Sequence, residues 1–201
     1  MDDPDRWAAA RDDAQLIDVR DHVIRPARAS DTPHIRTIEA AAGTQFYSVG
    51  MDLVADAELP SDEELIPYIN GQRAWVVTDA HDVPIAFILS DIVDDNVHIE
   101  QVSVHPSQAH KGLGKALIDH VADVAGDSGY PAMTLTTYVD VPWNGPYYTR
   151  LGFMEIGTDE LTPGLVEIRR HEAELGLDAW PRVCMRRALA ANEPAAEVCR
   201  G

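Results

Sequence analysis

Between residues 22 and 188 short apolar runs alternate with amphipathic stretches, and their spacing sets what each predicts. Brief runs of β-branched and aromatic residues predict strands at 23–27, 74–78 and 85–89, the last two joined by an Asp/His/Pro turn as a hairpin. Further strands are expected at 97–104, 133–137, 153–156 and 182–185. Ser30 or Asp31 can cap a helix starting near Pro33, with Ile35 and Ile38 on its inner face. Ser61 and Glu64 have the spacing of a capping box that opens a second helix over 61–70. Leu113, Leu117, Val121 and Val124 share one helical stripe and predict a helix over 113–125. A short helix at 143–150 and a polar helical segment at 165–175 complete the set. The order β-α-α-β-β-β-α-β-α-β-(α)-β describes an α/β protein with one mixed sheet, an α+β arrangement that is not doubly wound. Residues 1–21 read as an N-terminal extension, 22–188 as one domain and 189–201 as a C-terminal tail.

Strand 97–104 departs from simple alternation. Val97 and Ile99 share one face, whereas Val102 and Val104 have the opposite parity. Both pairs reach one core only if a residue is inserted between them, which predicts a β-bulge at or next to Glu100-Gln101. The other reading is a strand buried on both faces. A bulge leaves backbone groups unpaired and re-aims side chains, which suits a ligand site. The strand then stops at Pro106, and the loop His110-Lys111-Gly112-Leu113-Gly114-Lys115 opens the next helix. Free N–H groups and the helix dipole there favour an anion such as pyrophosphate, with positive charge from Lys111 and Lys115. The loop matches neither the P-loop spacing nor the three-glycine dinucleotide fingerprint. In the segment 143–153, Gly152 suits a left-handed helix end, and Asn144 and Tyr148 lie one turn apart. Tyr147 and Tyr148 cannot face the same way, so one is expected to pack and the other to be available for chemistry.

Composition narrows the function. The 201 residues carry 16 Lys+Arg against 34 Asp+Glu, a net charge of −18, and 45% are hydrophobic, as in one folded domain. Such acidity argues against binding nucleic acid, which needs a basic footprint, and against an anionic membrane surface. Lys111 and Lys115 are the only lysines, and both fall on the anion loop. Cys184 and Cys199 have neither metal-site spacing nor a disulfide framework, so reduced bystander thiols and no metal are expected. No apolar run approaches the roughly 18 residues of a membrane span, and the first residues are acidic where a signal peptide is basic. Cytoplasm is the expected location.

The two segments together, in order and with their flanking strands, resemble the GNAT superfamily of acetyl-CoA-dependent N-acetyltransferases over roughly residues 22–188, beginning with Ile24-Arg25-Pro26-Ala27. The family signature Arg/Gln-x-x-Gly-x-Gly/Ala falls on Ala109 to Gly114, with alanine at its first position and Gln108 one place early. The signature Tyr-x-x-x-Gly-Phe is intact as Tyr148 to Phe153. The asparagine usual seven residues before that tyrosine is Val141 here, and Asn144 is its candidate replacement. The resemblance implies a mostly antiparallel central sheet, flanked by helices, whose fourth and fifth strands splay apart around the pantetheine arm of acetyl-CoA. Backbone groups of Val102, Ser103 and Val104 would hold that arm. His110, Lys111, Gly112, Leu113, Gly114 and Lys115 would hold the pyrophosphate. Glu100 is the implied general base, with His98 in reserve, and Tyr148 the acid or hydrogen-bond donor to the departing sulfur.

The implied activity is direct acetyl transfer to a primary amine of a small molecule or peptide. Alternatives are a non-catalytic acyl-CoA-binding module and an acyltransferase with another acyl group or acceptor. In the family, the first two helices and the late strands flank the acceptor groove, here 44–68 and 155–180. Asp52, Asp56, Glu58, Asp62, Glu63 and Glu64 form either a solvated acidic face or an attractor for a cationic amine such as a polyamine, an aminoglycoside-like amine or a basic peptide terminus. Phe46, Tyr47 and Trp143 could wall that groove or simply pack. Family members are often dimers, which leaves a homodimer open.

Overall fold

The computed structural model describes Trp7, residues 17–19 and residues 22–189. Its strands are β1 (Ile17–Val19), β2 (His22–Pro26), β3 (Ala74–Thr78), β4 (Pro84–Val93), β5 (Asn96–Val104), β6 (Ala132–Tyr138), β7 (Met154–Glu155) and β8 (Arg182–Ala188). The helices are α1 (Thr32–Gly43), α2 (Asp52–Ala55), α3 (Asp62–Asn70), α4 (Leu113–Asp127), α5 (Gly145–Arg150) and α6 (Pro163–Glu174). One sheet takes the order β1-β2-β3-β4-β5-β6-β8-β7. Its pairs are antiparallel except β5 with β6. This is the mixed α/β architecture that the element order predicts. The strands expected as fourth and fifth are β5 and β6, because Ile17–Val19 adds one at the start.

Both faces of the sheet are covered at β3, which is buried along its whole length. In β3, Trp75 and Val77 face the core built by Leu113, Leu117, Ile118 and Val121 of α4. The alternate residues, Ala74 and Val76, face Ile35 and Ile38 of α1 and Leu65 of α3. Asp79 closes the β3–β4 hairpin by accepting from the N–H groups of His81 (2.8 Å) and Val83 (3.0 Å). At the start of α3 the capping box forms, with Ser61 N–H donating to Glu64 Oε2 at 2.8 Å.

Asp31 precedes α1 but its carboxylate does not cap it. It is taken instead by Arg25, at 2.7 and 3.1 Å, and by the N–H of Arg28 at 2.8 Å. A guanidinium left 3% exposed demands a counter-charge more strongly than a helix end demands a cap. Of the residues set apart as an N-terminal extension, Ile17–Val19 pairs with β2. Trp7 is buried and donates from Nε1 to the carbonyl of Gln72 at 3.1 Å. Within the segment 153–156 only Met154–Glu155 forms strand. Cys184 is buried, which pushes its thiol up to about 11. Residues 190–201, including Cys199, lie outside the described residues. Among the described residues no helix is long and apolar enough to cross a membrane.

The break in β5 falls where the parity argument places it. Ile99 lies opposite Ser90 and Gln101 opposite Leu89, so Glu100 has no partner on β4. Across that bulge Val97, Ile99, Val102 and Val104 all pack against the α4 core. The β5–β6 ladder spans only Val97, His98 and Ile99 against Met133, Thr134 and Leu135. Beyond it β5 stays with β4 while β6 continues along β8 to Tyr138. The sheet therefore opens between its two parallel strands.

Candidate active site

A cavity of about 900 Å³ occupies this opening. On its α4 side the wall contains Val102, Ser103 and Val104 of β5, His110, Gly112, Leu113, Gly114 and Lys115 of the loop and α4, and Asn144, Tyr147 and Tyr148. On its other side the wall contains Glu39, Phe46, Tyr138, Trp143 and Arg182. Ten of the twelve residues singled out from the sequence thus meet in one space; Glu100 and Lys111 are not in its wall.

The loop before α4 turns through left-handed backbone at His110 (φ 64°) and Gly112 (φ 82°), and Gly112 is the N-cap. The first-turn N–H groups of α4 have no partner within the helix. A side chain at Gly114 would place its Cβ 3.2 Å from Tyr147 Oη, close enough that the tyrosine would have to give slightly, and in ordinary contact with Val104 Cγ2 at 3.6 Å, so α5 and β5 both approach the helix start closely. Lys115 is exposed and paired with Asp119, while Lys111 donates to Gln108 Oε1 at 2.6 Å.

Gly145 permits a second close approach. A Cβ there would lie 2.7 Å from the carbonyl oxygen of Val139, so α5 starts directly against the chain leaving β6. Asn144 donates from Nδ2 to Thr137 Oγ1 at 3.0 Å, and its Oδ1 is buried without a hydrogen-bond partner. That atom can accept from a ligand N–H. Both tyrosines reach the cavity: Tyr147 is half-buried and Tyr148 is 9% exposed. The expected division into one packing and one available ring does not hold, because α5 abuts the cavity closely enough for consecutive side chains to touch it. Burial, with Tyr147 alongside, raises the pKa of Tyr148, so its hydroxyl keeps its proton.

Glu100 projects from the bulge. Water reaches it, yet the surrounding protein raises its pKa; Glu172 adds to this, while His171 and Arg182 oppose it. His98 is 1% exposed, and its Nδ1 lies 2.9 Å from Thr134 Oγ1. Burial lowers its pKa to about 4, so it is a neutral ring packed in the sheet, outside the cavity wall.

Of the far wall, Phe46 and Trp143 are candidates from the sequence and do line the cavity, whereas Tyr47 does not and the charged and hydroxyl groups escaped sequence reasoning. Glu39, Tyr138 and Arg182 come from α1, β6 and β8, and no local motif links them. Arg182 stacks at 4.3 Å on the Tyr138 ring, donates from Nη2 to Thr136 Oγ1 at 3.1 Å and pairs with the buried Glu172, which Arg169 also contacts. Asp52, Asp56, Glu58, Asp62, Glu63 and Glu64 do not line the cavity. Asp56 bonds Tyr47, Asp62 pairs with Arg36 at 2.6 Å and Glu64 serves the α3 cap. They form a solvated face.

Several solved structures share this architecture. The ribosomal-protein-S18-alanine N-acetyltransferase of Escherichia coli superposes with a TM-score of 0.60 at 18% identity, covering 87% of this chain and 97% of its own. The PaiA N-acetyltransferase of Thermoplasma acidophilum, solved with coenzyme A, gives 0.63 at 14% identity, covering 83% and 98%. An acetyltransferase of the GNAT family from Staphylococcus aureus gives 0.64 at 13% identity, covering 84% and 99%. At these identities the likeness is one of fold. The sequence model of the acetyltransferase (GNAT) family matches residues 40–153, more than half of the chain, and includes the bulge, the glycine loop and α5. The chain belongs to the acetyltransferase (GNAT) family.

Proposed function

We propose that the protein transfers an acetyl group from acetyl-CoA to a primary amine, directly and within a ternary complex. The observation that carries this reading is the cavity that passes the β5 backbone beyond the bulge, with the α4 N-terminus and Tyr148 in its wall. Acetyl-CoA supplies the activated acetyl thioester. The first-turn N–H groups of α4 and the Lys115 charge suit its pyrophosphate. The β5 edge over residues 101–104, no longer paired with β6, offers backbone groups to the pantetheine arm, and Asn144 Oδ1 offers an acceptor. One β5 N–H donating to the thioester carbonyl would stabilise the charge that develops there.

Two proton problems remain for side chains. An alkyl amine with a pKa near 10.4 is free base in only about one molecule in 10³ at pH 7. Glu100, just outside the cavity wall and with its raised pKa, would take the surplus proton directly or through a water. Coenzyme A leaves as a thiolate whose acid has a pKa near 8.5. Tyr148 lies above its ordinary value, so complete proton transfer to that sulfur is uphill, and its service is a hydrogen bond to the departing charge.

The test measures thiol release from acetyl-CoA against a panel of amines. Tyr148→Phe is expected to lower kcat about 10²-fold, with acetyl-CoA affinity nearly unchanged. Equal kcat in the variant refutes the role of Tyr148. Bound acetyl-CoA with no turnover of any amine refutes amine acetylation and leaves an acyl-CoA-binding module.

A further inference from the structure

On the reading that the cavity houses amine acetylation, we propose that the acceptor is a singly charged primary amine on an apolar body, with Glu39 receiving its ammonium group. The carboxylates that suggested a polycation lie outside the cavity; its wall holds one carboxylate, Glu39 of α1. No Lys, Arg or His pairs with Glu39 among the described residues, and Oε2 is buried without a hydrogen-bond donor. A part-buried carboxylate in that state is costly, and an arriving ammonium supplies the missing donor and counter-charge. Burial raises the pKa of Glu39, with Glu64 adding to it and the Gln101 amide opposing it, so a cation would also draw it into the ionised form.

The other charge in that wall is already answered. Arg182 is bound to Glu172 and Thr136 and stacked on Tyr138, so it adds a compensated ion pair rather than a free cation. Apart from the amides of Gln45 and Gln101, the wall on the α1 side is largely apolar. Phe46 and Trp143 meet edge to face at 5.8 Å, and Val54, Leu59 and Leu177 continue the wall. One cation fits beside Glu39; the second and third charges of a polyamine would lie against aromatic and aliphatic carbon, where their desolvation is unpaid.

Thiol-release kinetics at saturating acetyl-CoA with 2-phenylethylamine, ethanolamine and spermidine test this. The expected KM for 2-phenylethylamine is at least about 10-fold below the other two. Glu39→Gln is expected to raise that KM about 10-fold, while the Ki of uncharged 2-phenylethanol as a competitive inhibitor stays within about two-fold. Equal or better use of ethanolamine or spermidine overturns the acceptor class and leaves amine acetylation standing. An unchanged KM in Glu39→Gln, or a matching loss of 2-phenylethanol binding, overturns the role of Glu39. Bound acetyl-CoA with no thiol release from any of the three removes amine acetylation, and this proposal with it.

Discussion

At the scale of single residues, the two carboxyls flanking the opening differ from their neighbours in what surrounds them. Glu64 is held below the usual range by hydrogen bonds from Ser61, whereas Glu39 is pushed up chiefly by burial and Glu100, which water reaches, by the protein packed around it. A raised pKa means that a proton is retained to higher pH, so a base built from Glu100 switches off on the acid side earlier than an ordinary glutamate with a pKa near 4.3. In a pH series of kcat at saturating amine, the acidic limb is expected above that value. Glu100→Gln should remove the limb and lower the plateau by about 10²-fold or more. An identical profile in the variant would exclude Glu100 as the base. His98 stands two residues away and has no such part, because its ring is neutral and sealed against Thr134.

Among the elements, α5 is the least able to move without consequence. It has six residues and brings Asn144, its N-cap, and Tyr148 to the cavity by starting against the carbonyls of Tyr138 and Val139. Gly145→Ala puts a methyl group 2.7 Å from the Val139 oxygen, inside van der Waals contact, so the helix must shift away from β6. We expect this variant to lose about 1–3 kcal/mol of stability, measured by urea denaturation. It should lose more activity than that predicts, through displaced Tyr148, as thiol-release rates of the folded variant will show. A fully active, equally stable variant would mean that α5 has slack. The bulge on β5 is the matching device: one unpartnered residue keeps four valine and isoleucine side chains on the α4 core and turns Glu100 outward.

For the molecule as a whole, −18 of net charge conceals a few decisive pairs. Arg25 and Asp31 are 3% and 5% exposed and tie β2 to the start of α1, with Asp82 of the hairpin turn on the same guanidinium at 2.6 Å. Burial alone would raise the pKa of Asp31, but Arg25 and the Arg28 N–H together hold it below its ordinary value. A depressed folded-state pKa stabilises the fold fully above the unfolded value near 3.9 and loses that contribution as pH falls through the folded value. Asp31→Asn is therefore expected to cost about 3 kcal/mol at pH 7, with a smaller deficit at pH 3. A deficit independent of pH would show that the ionised carboxylate is not what matters.

The sequence by itself determined the order of elements, the mixed sheet, the α4 stripe, the family and, through the parity of Val97, Ile99, Val102 and Val104, the bulge. Each is written in neighbouring residues, within the reach of one strand or a few helical turns. It also pointed to Asn144, Tyr148 and the glycine loop, because they lie in short local motifs with particular residue types at fixed spacing. Only the tertiary structure decided that Glu39, Tyr138 and Arg182 share a wall, that Asp31 serves Arg25 rather than a helix cap, and that the acidic run at 52–64 faces solvent. Those outcomes depend on contacts between segments distant in the chain, and there burial decides which charge is paired and which faces water.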